Sequence, residues 1–312
     1  MKQQLWARLN LPLTLDFYTQ AIHYDTVALS YNLLLKYLSF EKIPGLSKNN
    51  IPATPIFPVD HIFCISDPKR TDRRLNVQSI FDYLKMKVEY IPAINPEVDP
   101  LALEMSARTK SGLSPSAVGC WVAHLKVWRS VVEKGYGTIL VLEDDIDISY
   151  NIERLLRKAI SVLNSSKNKY YNATSPGEWG WDLLYPGHCS YDEDKFSWLD
   201  ESFKQLRYAY TPICTHGYVA SRSGAQKLIK LFSELGEQPV DMAIANNGVS
   251  VGRTLKIFSF WPPAINQRRD IYSKDPGLRD TIFLAPEDST YDRMKELGVP
   301  FYSDEAMDAI RL

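Results

Sequence analysis

From His61 onward, short apolar runs alternate with longer segments whose apolar residues have helical spacing. HIFCIS (61–66) reads as a short buried strand, followed by the basic turn DPKRTDRR and an amphipathic helix running roughly from Thr71 to Lys87. VEYIPAI is a second strand, and a helix from Ser114 to Lys134 with the strand Thr138 to Leu142 makes a third layer. Another helix, then WDLLYPG, CTHGYVAS and the helix RSGAQKLIKLFSEL continue the alternation, and TLKIFSFWPPAINQ is expected to end the ordered part. This pattern predicts an α/β fold with a mixed, mostly parallel sheet flanked by helices. Ligands in such sheets sit at the carboxyl ends of strands.

The helix over Ser114 to Lys134 carries two adjoining apolar stripes. Val118, Trp121, Leu125, Trp128 and Val132 form one; Ala117, Cys120, His124, Val127 and Val131 form the other, while Lys126, Arg129 and Glu133 face out. A wide face is therefore expected to be buried, with His124 inside it as a hydrogen-bonded core residue. Ser114 is a natural N-cap, with Pro115 at the first helical position.

Upstream, residues 1–55 read as an N-terminal extension, in which DTVALSYNLLLKYLSF has helical spacing and precedes the linker KIPGLSKNNIPATPIFP. Residues 56–285 form the α/β domain and 286–312 a C-terminal tail. No run approaches the ~18 apolar residues of a membrane span. MKQQLWARLNLPLTLDFYTQ lacks the continuous apolar stretch of a signal peptide. Asn164-Ser-Ser and Asn172-Ala-Thr have the form of glycosylation acceptors.

Composition narrows the partners. A net charge of −1 over 312 residues gives no reason to expect nucleic acid or an anionic membrane. The 18 Tyr and 7 Trp are ample, and their flat faces and polar edges suit sugars and bases as well as cores. Cys64, Cys120, Cys189 and Cys214 include no CxxC pair, so a structural zinc site is not expected. Cys214-Thr-His216 and His188-Cys189 are scattered enough to be a chance ligand set. Two disulfides or none fit equally well.

The candidate chemistry lies in TILVLEDDIDIS (138–149), where an apolar strand runs into Glu143, Asp144, Asp145 and Asp147. Adjacent carboxylates repel and are costly to desolvate. A solvated strand-to-loop turn is one reading. A second is D-x-D metal binding, with Glu143 and Asp145 on one side offering hard oxygens to Mn²⁺ or Mg²⁺. A third takes Asp145-Ile-Asp147-Ile-Ser149, which resembles the D-x-D-x-[ST] motif of haloacid-dehalogenase-type phosphatases, although Glu143 and Asp144 intervene between strand and motif.

FCISDPKRTDRR, LSPSAVGCWVAHLKVW, TILVLEDDIDI, THGYVASRSGAQKLI and QPVDMAIANN occur in the order of the glycosyltransferase family 25 catalytic domain. The resemblance spans roughly residues 60 to 270. Its fairly specific part is Gly119-Cys120…His124…Trp128 followed by Leu142-Glu143-Asp144-Asp145. It implies a GT-A fold, a UDP-sugar donor, a divalent metal, a glycan or protein acceptor and inversion at the anomeric carbon. It also favours the lumen of the secretory pathway. The family's Asn-Leu after the first strand is Ser66-Asp67 here, its glutamate before Gly-Cys is Ala117, and the serine before its histidine is Ala123. A glutamate at position 117 would complete a capping box with Ser114, so its loss is expected to cost about 0.5–1 kcal/mol of capping.

On this resemblance Asp145 holds the metal with Glu143, and Glu143 or Asp144 supports the ribose. Ser66, Lys69, Arg70, Arg73 and Arg74 sit where uridine or phosphate is contacted, although a solvated basic helix start explains the cations as well. The resemblance makes Asp241 the general base; an N-cap role is the alternative. His216 and Gln267 are candidates for the substrate pocket or metal shell, and Asp182, beside Trp179 and Trp181, for a sugar-stacking corner. Besides hexose transfer from a UDP-sugar, two other functions stand: the phosphatase, and a non-catalytic nucleotide-sugar or glycan-binding homologue.

Overall fold

The computed structural model describes residues 57–108, 112–165, 180–189, 198–234, 238–248, 254–268 and 286–302. The N-terminal extension, Asn172 and Trp179 lie outside them.

The chain builds β1 (His61–Ser66), α1 (Thr71–Tyr83), β2 (Glu89–Pro92), α2 (Pro100–Arg108) and α3 (Pro115–Lys134). Then come β3 (Thr138–Glu143), β4 (Ile146–Ile148), α4 (Ile152–Leu163), β5 (Leu183–Tyr185) and β6 (Leu206–Tyr208). The remainder is β7 (Gly217–Ser221), α5 (Arg222–Glu234), α6 (Val240–Asn246), β8 (Ile257–Phe260), β9 (Ile265–Gln267) and α7 (Thr290–Glu296).

Seven strands form one sheet in the order β2-β1-β3-β7-β5-β8-β6. β1 runs parallel to β2 and β3, and β5 to β8, while β7 and β6 run opposite to their neighbours. Strand alternation divides the core between the two faces. Leu140 and Leu142 join Ile62, Cys64, Val219 and Phe258 under α1 and α4. Ile139 and Val141 join Phe63, Tyr218 and Tyr185 under α3, α5 and α6. These four β3 residues are fully buried, which explains why the strand is a continuous apolar run.

α3 starts as the sequence predicts. The Ser114 side chain accepts from the Ala117 N–H at 3.3 Å, and Gly135 closes the helix in the left-handed region at φ 74°. Burial extends further round than the two stripes, taking in Val122 and Ala123, whereas Val132 at the last turn is exposed. A Cβ on Gly119 would lie 2.7 Å from the Ile94 carbonyl oxygen, so only glycine lets this helix meet the chain after β2. α1 ends at Tyr83, before the predicted Lys87. Lys85 turns left-handed at φ 55°, and Met86 folds back into the core, its N–H donating to the Phe81 carbonyl at 2.8 Å.

A second, two-stranded sheet pairs β4 with β9 in antiparallel register. It folds the chain after β3 back over the sheet's end, so the acidic segment stays buried. Order does not end at Gln267: residues 286–302 pack here too, because Met294 and Phe301 are buried in the core, Ser289 bridges to Ser149, and the Tyr302 N–H donates to the Ser79 hydroxyl at 2.8 Å. No helix among the described residues is long and apolar enough to cross a membrane.

Candidate active site

The four acids after Leu142 are buried or half-buried, and each has its own partners. Glu143 ends β3; its Oε1 accepts from the Thr215 hydroxyl at 2.7 Å and lies 3.6 Å from His124 Nε2. Asp144 and Asp145 share the Arg73 guanidinium, whose Nη1 is 3.4 Å from Asp144 Oδ1 and 2.9 Å from Asp145 Oδ2. Asp145 Oδ2 also accepts from Gln267 Nε2 at 3.1 Å. Asp147 turns elsewhere, accepting from the Ser289 hydroxyl at 2.5 Å and from the Ile148 and Tyr291 N–H groups.

Electrostatics separates them. Burial alone would raise the Glu143 carboxyl, but His124, Thr215 and His216 reverse the sign and hold it below the ordinary range. Asp145 is pushed up to about 6, chiefly by burial and then by the Glu143 charge, with Arg73 and Gln267 opposing. Its Oδ1 is buried without a hydrogen-bond partner among the described residues. The Tyr185 hydroxyl, fully buried nearby, is also without one, and burial followed by the Asp241 and Glu143 charges raises its pKa.

A second layer orients Glu143. The Trp128 indole N–H donates to the Tyr218 hydroxyl oxygen at 2.8 Å, and that hydroxyl lies 2.9 Å from His124 Nδ1. An indole can only donate, so the Tyr218 proton goes to Nδ1, and His124 presents Nε2–H to Glu143. His124 is thus the bonded core histidine that its helix face implies, aimed at the acid.

Asp241 lies in the first turn of α6, whose N-cap is Pro239, so the N-cap alternative does not hold. Its Oδ2 accepts from the Cys214 N–H at 3.0 Å and its Oδ1 from the Met242 N–H at 2.8 Å. Cys214 is in the left-handed region at φ 70°, and the next residue is the Thr215 that holds Glu143. Successive Cα atoms stand ~3.8 Å apart, so one short segment grips both carboxylates. Cys120 stands with His124 and Glu143, their ligand atoms within 4.8 Å of one another, and burial first and the Glu143 charge second raise its thiol. Cys214 is disulfide-bonded to Cys189, while Cys64 and Cys120 are free.

The fold therefore brings Arg73, Glu143, Asp144, Asp145, Asp241, His216 and Gln267 together. Ser66 ends β1, buried; Asp144 is raised chiefly by burial, with Ser66 and Arg73 opposing. Arg70 is not brought in: its guanidinium pairs with Asp72 at 2.7 Å. Lys69 donates its N–H to Asp67, and Arg74 stacks 4.2 Å over the Tyr90 ring. Asp182 is at the other end of the sheet. Leu183 pairs with Ala220, and Ala220 with Ile139 at the start of β3, so Asp182 stands near Thr138 rather than Glu143. There Lys227 Nζ and the Lys256 N–H hold it at 2.7 and 2.8 Å. Sequence alone does not single out Thr215, Tyr218 and Tyr185. Their signal is faint, since a Thr or Tyr beside an apolar strand is ordinary.

The sheet is mixed and mostly parallel, is flanked by helices, and carries the acids at the end of an interior strand. Residues 59–244 match glycosyltransferase family 25 (LPS biosynthesis protein), and the chain belongs to that family. A "Glycosyltransferase 25 family member" of Anopheles gambiae is 29% identical over 58% of this chain and 29% of its own length. Procollagen galactosyltransferase 1 of Danio rerio is 24% identical, covering 58% and 30%. A human protein named "Inactive glycosyltransferase 25 family member 3" is 25% identical, covering 54% and 28%. The chain thus spans under a third of the length of these relatives.

Proposed function

We propose that the protein is a metal-dependent inverting glycosyltransferase that moves a hexose, galactose or glucose, from a UDP-sugar to a hydroxyl of a glycan or protein. The observation that carries this reading is the buried, half-satisfied Asp145 beside Glu143, with Asp241 held by the same segment that holds Glu143. Family membership and a relative named for galactosyl transfer support the class of reaction.

The residues fit a divalent cation. Asp145 Oδ1 is an unpaired hard oxygen in a buried site, and Glu143 is held ionised next to it. Asp145 and Glu143 would hold Mn²⁺ or Mg²⁺. Such an ion would supply charge neutralisation for the departing diphosphate.

This chain's own groups do the rest. His124, fixed by Tyr218 and Trp128, keeps Glu143 ionised and pointed. Arg73 screens Asp144 from Asp145 and offers a fixed cation toward phosphate. Asp241, anchored at both oxygens by backbone N–H groups, keeps lone pairs to accept the acceptor hydroxyl's proton. The test is UDP release from a panel of UDP-sugars, with and without Mn²⁺, for wild type and Asp145→Ala. Metal-stimulated release that Asp145→Ala lacks is expected; equal rates in both proteins sink the assignment.

One observation favours a second reading, a nucleotide-sugar-binding homologue without turnover. Arg73 already bridges Asp144 and Asp145, and one relative is named inactive. That reading expects UDP binding with no release at any metal concentration. The phosphatase is not carried forward, because Asp147, the second acid of its motif, is closed by Ser289 and two backbone N–H groups.

A further inference from the structure

Cys189 and Cys214 meet across a sequence separation of 25, and His216 comes with them. The two sulfurs and a His216 ring nitrogen all lie within 4.8 Å of one another. His216 is buried, and its Nε2 lies 3.3 Å from the Ile265 carbonyl oxygen. A carbonyl can only accept, so Nε2 carries the ring proton and Nδ1 keeps its lone pair. Metal-binding imidazoles are usually fixed in this way, with the other N–H on a carbonyl.

The backbone around the cluster is closely set. The Cys189 N–H donates to the Ile213 carbonyl at 2.9 Å, and a Cβ on Gly187 would fall onto the Ile265 carbonyl oxygen. The cysteine Cα atoms are 5.7 Å apart, and the Gln267 Oε1 lies 3.9 Å from Cys189 Sγ. Released from each other, the sulfurs can spread to flank an ion at ~2.3 Å without moving the backbone far.

We propose that reduction of the Cys189–Cys214 disulfide turns Cys189, Cys214 and His216 into a site for one Zn²⁺-class ion. A dithiol reductant supplies two electrons and two protons, leaving as its own cyclic disulfide while the S–S bond becomes two thiols. Zn²⁺ then displaces both thiol protons, and His216 donates a neutral lone pair. Water or the Gln267 oxygen completes four ligands. Thiolates favour zinc over the oxygen-seeking Mn²⁺ and Mg²⁺, so this site is chemically distinct from the carboxylates around Asp145. The inference does not rest on the transfer reaction.

The test is metal counting on the full chain, oxidised or dithiol-reduced and freed of reductant under exclusion of oxygen. The reduced protein is expected to retain one zinc per chain and the oxidised protein none. Co²⁺ in place of zinc is expected to give the near-ultraviolet charge-transfer band of thiolate ligation. Cys189→Ser and Cys214→Ser are each expected to weaken that band and together to abolish it, and His216→Ala to weaken binding by more than the roughly 10–100-fold that loss of an outer-shell partner costs. Asp145→Asn is expected to keep the stoichiometry. Equal zinc in reduced and oxidised wild type, a comparison that needs no substitution to fold, overturns the proposal. So does undiminished binding by the Cys189→Ser/Cys214→Ser double variant.

Discussion

Asp182 and Asp145 are buried aspartates on strand-end segments of the same sheet, each beside a basic side chain. Asp182 is closed. Lys227 and the Lys256 N–H share one oxygen, Ser223 lies 3.5 Å from the other, and its own carbonyl accepts from the Ser221 N–H. Asp145 is open, because Arg73 and Gln267 both reach Oδ2 while Oδ1 has no partner among the described residues. One carboxylate has been given what a buried charge needs, and the other has been left short of it next to a second acid. A buried carboxylate left short of partners is the exception among buried polar groups, and on the proposed reading the open end is where a cation would sit.

The sharpest way to break this comparison is to truncate the open acid. Asp145→Ala is expected to lower metal-stimulated UDP release by roughly 10²–10³-fold, the size of losing one preorganised electrostatic contact to a developing charge. Global stability should change little, so rate and denaturation midpoint are measured on the same preparation. Truncating the closed acid is expected to reverse the pattern. Asp182→Ala strands the Lys256 N–H and half-buried Lys227, costing about 2–3 kcal/mol in denaturant unfolding, while the folded fraction keeps its turnover.

A subtler contrast uses pH. Asp145 binds its proton more tightly in the folded protein than in the unfolded chain. Its contribution to stability therefore falls as pH rises from the ordinary aspartate range to about 6, and is level above. In chelator at neutral pH, Asp145→Asn is expected to be more stable than wild type by on the order of 1–2 kcal/mol, part of the gain being returned with the lost Arg73 pairing. Mn²⁺ is expected to stabilise wild type above pH 6 and to leave the variant unmoved. A wild type that is not destabilised across this pH range removes the claim that Asp145 is held open. Smallest is the fastening at Asp147: Ser289→Ala is expected to cost about 1 kcal/mol in unfolding and nothing in rate.

Much of this was legible in the residues. The apolar run Ile139 to Leu142, the Ser114 cap and the stripes of α3 are local signals, and strands and helices form where they predict them. β4, β6 and α2 are not legible in the sequence, because three-residue strands and a short helix carry little periodicity. Tryptophans adjoin Asp182 in sequence and suggest a sugar-stacking corner, but sheet register carries it to the opposite end of the strands from Glu143. Arg70 and Arg73 are one helical turn apart, yet only the latter reaches the acids.

Hydrophobic period, capping and family motifs are written into neighbouring residues, so the chain by itself determined the α/β class, the acidic strand end and the family. Which acid is paired, which is left open and which cysteines meet depends on residues far apart in the chain being folded onto one spot. Asp147 finds Ser289, Glu143 finds Thr215 and His124, and Cys189 finds Cys214 only through sheet order and register. Charge is felt across a few ångströms of low-dielectric interior, and only the tertiary structure sets those distances.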